Sequence, residues 1–171
     1  MQVPAPRAFI AAASDGNILP VKEHLDLGLH ADCRDNDGNT ALILASDKGH
    51  LTVCELLITR GCNVDMQDKD GNTALIKAID KGHLAVCELL ITRGCNVDMQ
   101  DKGGRTALII ASNNGHIPIV ISLIEAGCNY SRRTRFFSPL CMDILREKYP
   151  DKAKEVQVSR SPTAVVTHSL M

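Results

Sequence analysis

Residues 35–67 are followed at once by nearly the same thirty-three residues, 68–100, with differences only at Asn36/Lys69, Leu44/Lys77, Ser46/Ile79 and Thr52/Ala85. The step of 33 runs beyond that pair. Gly16, Gly49, Gly82 and Gly115 keep it, as do Gly28, Gly61, Gly94 and Gly127. Thr40, Thr73 and Thr106, with Leu42, Leu75 and Leu108, mark three full units. A fixed period of this size means one supersecondary unit whose copies bury one another's apolar faces. A catalytic centre needs a single convergent set of side chains, so near-verbatim copying points to architecture.

Five units can be laid out. Residues 7–34 form a first unit without its front turn, 35–67, 68–100 and 101–132 are full units, and 133–157 form a degraded last one. Together they make a domain over residues 1–157, with 158–171 expected as a flexible tail. Within a unit, "TALILASDKG" sets Ala41, Leu42, Ala45 and Ser46 at helical spacing behind a capping threonine, and Gly49 stops that helix. "HLTVCELLITR" predicts a second helix, with Leu51, Cys54, Leu57 and Ile58 on one stripe and Val53 and Leu56 beside it. Gly61 ends it, and "CNVDMQDKDGN" is a turn with Asp70-Gly71 at its corner. Hydrophobic residues make up 44% of the chain but aromatics only 3%, with no Trp. Such a core favours close-packed helices over a β-sandwich.

These residues resemble the ankyrin repeat. The family's phrase of Asp, Gly, Thr-Pro-Leu-His, Ala, Gly-His, Leu-Leu and Gly-Ala-x-Val-Asn reads here as Asp68, Gly71, Thr73-Ala74-Leu75-Ile76, Ala78, Gly82-His83, Leu89-Leu90 and Gly94-Cys95-Asn96-Val97-Asp98. The resemblance covers roughly residues 7 to 157. It implies an all-α solenoid of stacked helix-turn-helix pairs joined by β-turn loops, its outer copies capping the stack. Two departures recur. Ala and Ile replace the Pro and His of the phrase in every full unit, and Asp65 and Asp98 stand where the family has Asn.

The chemistry-bearing residue types all have a plainer role. Cys62, Cys95 and Cys128 share one register, and Cys54 and Cys87 another, with seven residues between Cys54 and Cys62. Zinc sites prefer cysteines two to four residues apart, so these thiols are expected as small packing residues. His50, His83 and His116 open the second helices and are expected to hydrogen-bond the preceding loop. Asp35 and Asp68 begin half of a calcium-loop spacing without its closing Glu, and are expected as turn aspartates. The chain has no phosphate-binding loop and no nucleophile motif. No catalytic residue, cofactor or metal is therefore expected, and the chain is not expected to be an enzyme.

Function then falls to the surface. Nineteen basic residues against twenty acidic ones give a formal charge of −1, so nothing draws the whole chain to nucleic acid. No stretch approaches the roughly 20 apolar residues that span a bilayer. "MQVPAPRAFIAAASDGN" lacks the charged start and apolar run of a secretory signal, so cytoplasmic or nuclear residence with reduced thiols is expected. The resemblance places partner contacts on a concave face of turn tips and first helices. Here these are Asn36, Asp37, Asn39, Asp47 and Lys48, then Lys69, Asp70, Asn72, Lys77, Asp80 and Lys81, then Lys102, Arg105, Asn113 and Asn114. Lys77 stands in register with Leu44 and Ile110, so its side chain is expected to reach water on that face.

The charge of the set runs from −1 in the second unit through +1 in the third to +2 in the fourth, with Arg132, Arg133 and Arg135 beyond. An acidic partner segment would be steered to that end. Phe136 and Phe137 with "LCMDILREKY" are expected to seal the stack, with Asp143, Arg146, Glu147 and Lys148 outward. Ser161-Pro162 is a weak phosphorylation candidate, and Ser169-Leu170-Met171 a weak match to peptides captured by PDZ grooves. The leading expectation is a non-catalytic module binding another protein. The rivals are a regulatory or targeting part of a larger ankyrin protein that acts on an enzyme, and a thiol or metal-binding protein.

Overall fold

The structure is a computed structural model, and it describes residues 6–129 together with residues 143, 146–148 and 150–151. Eight helices follow one another in residues 6–129: α1 (Pro6–Ser14), α2 (Ile18–Asp26), α3 (Ala41–Lys48), α4 (Leu51–Thr59), α5 (Ala74–Asp80), α6 (Leu84–Thr92), α7 (Ala107–Asn113) and α8 (Ile117–Glu125). Odd and even helices pair as α1/α2, α3/α4, α5/α6 and α7/α8. The odd helices also pack in sequence, α1 on α3 on α5 on α7, and so do the even ones. The result is a two-layer stack in which each pair packs chiefly on its neighbours along the chain, as the 33-residue step requires.

The first helix of each unit begins at its threonine. Thr40, Thr73 and Thr106 are extended, and their hydroxyls accept the N–H groups of Ile43, Ile76 and Ile109 at 3.3, 3.2 and 3.4 Å. These helices are short and almost wholly enclosed. In α3, Ala41, Leu42, Ile43, Ala45 and Ser46 are all buried. A helix held between two neighbours and its own partner has little room for bulk, which is why alanines recur in it.

The second helices are less enclosed than their sequence suggests. In α4 the buried row is Val53, Cys54 and Leu57, while Leu51, Leu56 and Ile58 pack against the core only in part. The stripe expected along Leu51, Cys54, Leu57 and Ile58 is therefore turned toward Val53. Among the described residues no further layer covers the even helices, and one flank of each is exposed.

Hydrogen bonds repeat between units at the same step. The carboxylates of Asp32, Asp65 and Asp98 accept the N–H groups of Asn63, Asn96 and Asn129 at 2.9, 2.9 and 2.8 Å. Asp65 and Asp98, where the family pattern has Asn, thus hold the next unit. Arg34 donates to the carbonyls of Gly38 and Gln67, and Gln67 in the same register donates to those of Gly71 and Gln100.

The histidines also bridge units. His50 Nε2 donates to the Ser14 carbonyl at 3.0 Å and His83 Nε2 to that of Asp47 at 3.1 Å. Their target is the end of the preceding unit's first helix, not the loop just before them, because stacking brings that helix end under the ring. The ring needs glycine beneath it. Gly49 ends α3 at φ +77°, and a Cβ there would lie 2.7 Å from His83 Nδ1. Glycine at that point meets both a backbone and a packing demand.

The expected seal at Phe136 and Phe137, the arginines at 132, 133 and 135, and the tail from 158 onward lie outside the described residues. Asp143, Arg146, Glu147 and Lys148 are helical and exposed, with Arg146 Nη1 3.1 Å from Asp143 Oδ1.

Candidate interaction face

Each front turn is organised by one carboxylate. Asp68 Oδ1 accepts the backbone N–H groups of Asp70 and Asn72 at 2.9 and 2.8 Å, and both its oxygens accept from the Asn72 side chain. Asp35 does the same with Asp37 and Asn39. These are turn aspartates, as expected. Burial opposes their ionisation, but the bonds from the Asn39 and Asn72 side chains and from the turn N–H groups outweigh it. Both carboxyls lie below their ordinary 3.8, and Lys77 lowers Asp68 further.

The fifteen nominated residues divide accordingly. Asn39 and Asn72 are half-buried and hold the turn carboxylates, so their side chains are engaged within the fold. Lys77 does not simply extend to water: its Nζ lies 3.3 Å from Asp68 Oδ2, with 28% of its side chain exposed against 4% for Asp68. Arg105 leaves most of its side chain in solvent while its Nε donates to Asp101 Oδ2 at 2.7 Å. Asn114 donates to the Asp80 carbonyl of the unit before it at 3.3 Å. Asp47 is half-buried beside Lys48, and Asp80 pairs with Lys81, both at 3.4 Å. Asn36, Asp37, Lys69, Asp70, Lys102 and Asn113 are exposed.

The structure brings these residues into two rims. Asn36, Asp37, Lys69, Asp70 and Lys102 stand at successive turn tips, whose backbones are tied by Lys69 N–H to Asp37 O and Lys102 N–H to Asp70 O. Asp47, Lys48, Asp80, Lys81, Asn113 and Asn114 stand at successive first-helix ends. Leu44 and Lys77 lie between the rims on the first helices. Counting the turn carboxylate of each unit lowers every charge by one, to −2, 0 and +1. The slope expected from sequence remains, and its acidic end is stronger.

Sequence reasoning missed a cavity of about 540 Å³ at that acidic end, between α1 and the turn of the second unit. Ile10, Ala11 and Leu44 line it, with Asp15, Asp35 and Asp37. Its only signal in the sequence is the apolar Leu44 where the next copy carries Lys77.

The thiols belong to the interior. Cys54, Cys62, Cys87, Cys95 and Cys128 are buried and Cys33 is half-buried, and these six are not joined in disulfides. Burial pushes Cys54 up to about 11 and Cys62, Cys87 and Cys95 up to about 12, so these four are protonated and poor nucleophiles at neutral pH. Among the described residues no group of three or more His, Cys, Asp and Glu is placed to hold a metal ion. Nor, among those residues, is any helix long and apolar enough to cross a membrane.

Two family models match the chain. "Ankyrin repeats (3 copies)" covers residues 52–134 and "Ankyrin repeats (many copies)" covers residues 25–78. With the stacked helix pairs and the 33-residue step, they show that this chain belongs to the ankyrin repeat family. Proteins of this class are generally protein–protein interaction modules and are typically non-catalytic. No curated protein matches the chain.

Proposed function

We propose that this chain is a non-catalytic interaction module that binds a partner protein across the face formed by its turn tips and first helices. The observation that carries this reading is the pair of polar rims. Asn36, Asp37, Lys69, Asp70 and Lys102 are exposed at adjacent turn tips, while neighbouring polar residues such as Asn39, Asn72 and Asp68 are engaged in holding the turns. Among the described residues the thiols are buried or half-buried and the turn aspartates hold their own turns, which fits a face built for contact. Residence in the cytoplasm or nucleus, where free thiols persist, fits the same reading.

The charge slope orients the partner, with acidic residues toward Lys102 and Arg105 and basic ones toward the second unit. A test uses the full chain and a Lys69→Glu/Lys102→Glu variant in partner selection and affinity measurement. A Glu55→Lys/Glu88→Lys variant of the outer helices is the control. Binding reduced about tenfold or more by the first and unchanged by the second supports the face. Binding lost only through the outer-helix variant overturns it.

A further inference from the structure

Asp35, Asp68 and Asp101 occupy one register and hold their turns by like bonds, but they differ in their cations. Asp68 Oδ2 has Lys77 Nζ at 3.3 Å, and Asp101 Oδ2 has Arg105 Nε at 2.7 Å. Among the described residues no ion pair reaches Asp35. Leu44 stands where Lys77 would reach it, and Asn39 where Arg105 would. Asp68 shows that this carboxylate, already accepting from two backbone N–H groups and an Asn side chain, still has room on Oδ2 for an ammonium group.

Asp35 lines the cavity of about 540 Å³ left by Leu44, with Ile10 buried beneath and Asp15 and Asp37 exposed at its edge. Two cations share the lining. Arg34 is held by the carbonyls of Gly38 and Gln67, and exposed Arg7 stands at the α1 end. The carboxylates outnumber them, and this is the acidic end of the face.

We propose that this cavity receives a lysine or arginine side chain from a partner's peptide segment, its aliphatic stem over Ile10 and Leu44 and its charged head at Asp35 Oδ2. Lys77 is the template within the same chain: a cationic side chain that crosses a first helix to the turn carboxylate of a nearly identical unit. A long side chain needs both an apolar path and a charged end, and among the described units the second offers them unfilled. A pocket of a few hundred Å³ also accommodates the flanking backbone. The proposal rests on the reading that this face binds a partner.

The deciding variant is Leu44→Lys, which gives the second unit the residue that the third already carries and is expected to keep the fold. Peptides are selected on the immobilised full chain from a random display library, synthesised and measured. The expected result is a basic residue at a fixed place, an affinity loss of about tenfold in L44K, and a similar loss when that residue becomes norleucine. Peptides that Lys69→Glu/Lys102→Glu weakens but that carry no basic residue or ignore L44K would overturn the cavity proposal and leave the face intact. Peptides insensitive to both variants would overturn the face as well. Independently of any selection, N-acetyl-lysine methylamide is titrated to about 50 mM into isotope-labelled protein. It should shift the amide signals of Asp35, Asp37 and Leu44 in the native chain and not in L44K. No shift, or an equal shift from the norleucine compound, would sink the idea. A dimer dissolved by L44K would assign the cavity to a second copy of the chain and overturn the proposal too.

Discussion

Among single residues, Asp68 carries the most. Its side chain is nearly enclosed, yet it stays ionised because Asn72, the turn N–H groups and Lys77 all stabilise the anion. Its carboxyl is depressed in the folded state, so the stability it adds is present above the unfolded value near 4 and is lost as pH falls through the folded value. Asp68→Asn should therefore lower stability by about 1–2 kcal/mol at pH 7. That gap should close as the pH drops below about 4. Urea unfolding of both proteins across pH 2–7 checks it, and a gap that is constant with pH would contradict it. The turn role of Asp68 was legible, because an Asp-x-x-Gly-Asn string is a turn by its own local bonding. The Lys77 partner was not, because eight residues lie between the two charges and only the fold of the turn back over the first helix brings them together.

At the scale of the helix, the junction of Gly49 and His83 is where one unit's stop becomes the next unit's seat. Gly49→Ala meets strain at φ +77° and a ring atom 2.7 Å from the new Cβ, whereas a Cβ at Gly61, φ +79°, meets nothing within 4 Å. Gly61→Ala should cost about 1 kcal/mol, the backbone contribution alone. Gly49→Ala should cost about 2 kcal/mol or more, and His83→Ala should relieve part of the excess. A double-mutant cycle by denaturant unfolding measures it. Equal costs at the two glycines would show that the ring yields freely. Both glycines were legible as helix stops, but the ring above Gly49 was hidden because His83 lies in the next unit.

At the scale of the whole molecule, stability is a sum over units and the contacts between neighbours. Units 35–67 and 68–100 are nearly interchangeable, so deleting 35–67 should leave α1 and α2 packed on α5 and α6 through the same His-to-carbonyl bond. The shortened chain should stay helical and unfold with a denaturant slope lower by roughly a fifth. Circular dichroism with urea measures both, and loss of cooperative unfolding would contradict the additive stack. The deletion also sets Lys77 and Asp68 where Leu44 and Asp35 stood, and so fills the cavity beside α1.

What the sequence determined alone was everything local and periodic: the step, the threonine starts, the glycine stops, the carboxylate turns and the burial of cysteines among leucines. Each follows from bonds within a few residues or from an apolar count that repetition makes unmistakable. Tertiary structure alone decided which polar groups are occupied. Lys77 reads as a surface residue until the folded turn sets it against Asp68, and His83 as a partner of the loop just before it until stacking lays its ring over Gly49, while among the described residues Asp35 lines an open cavity where leucine stands in place of that lysine. Stacking joins residues 31 to 36 positions apart, and at that range spacing names the partners only once the geometry of the step is known.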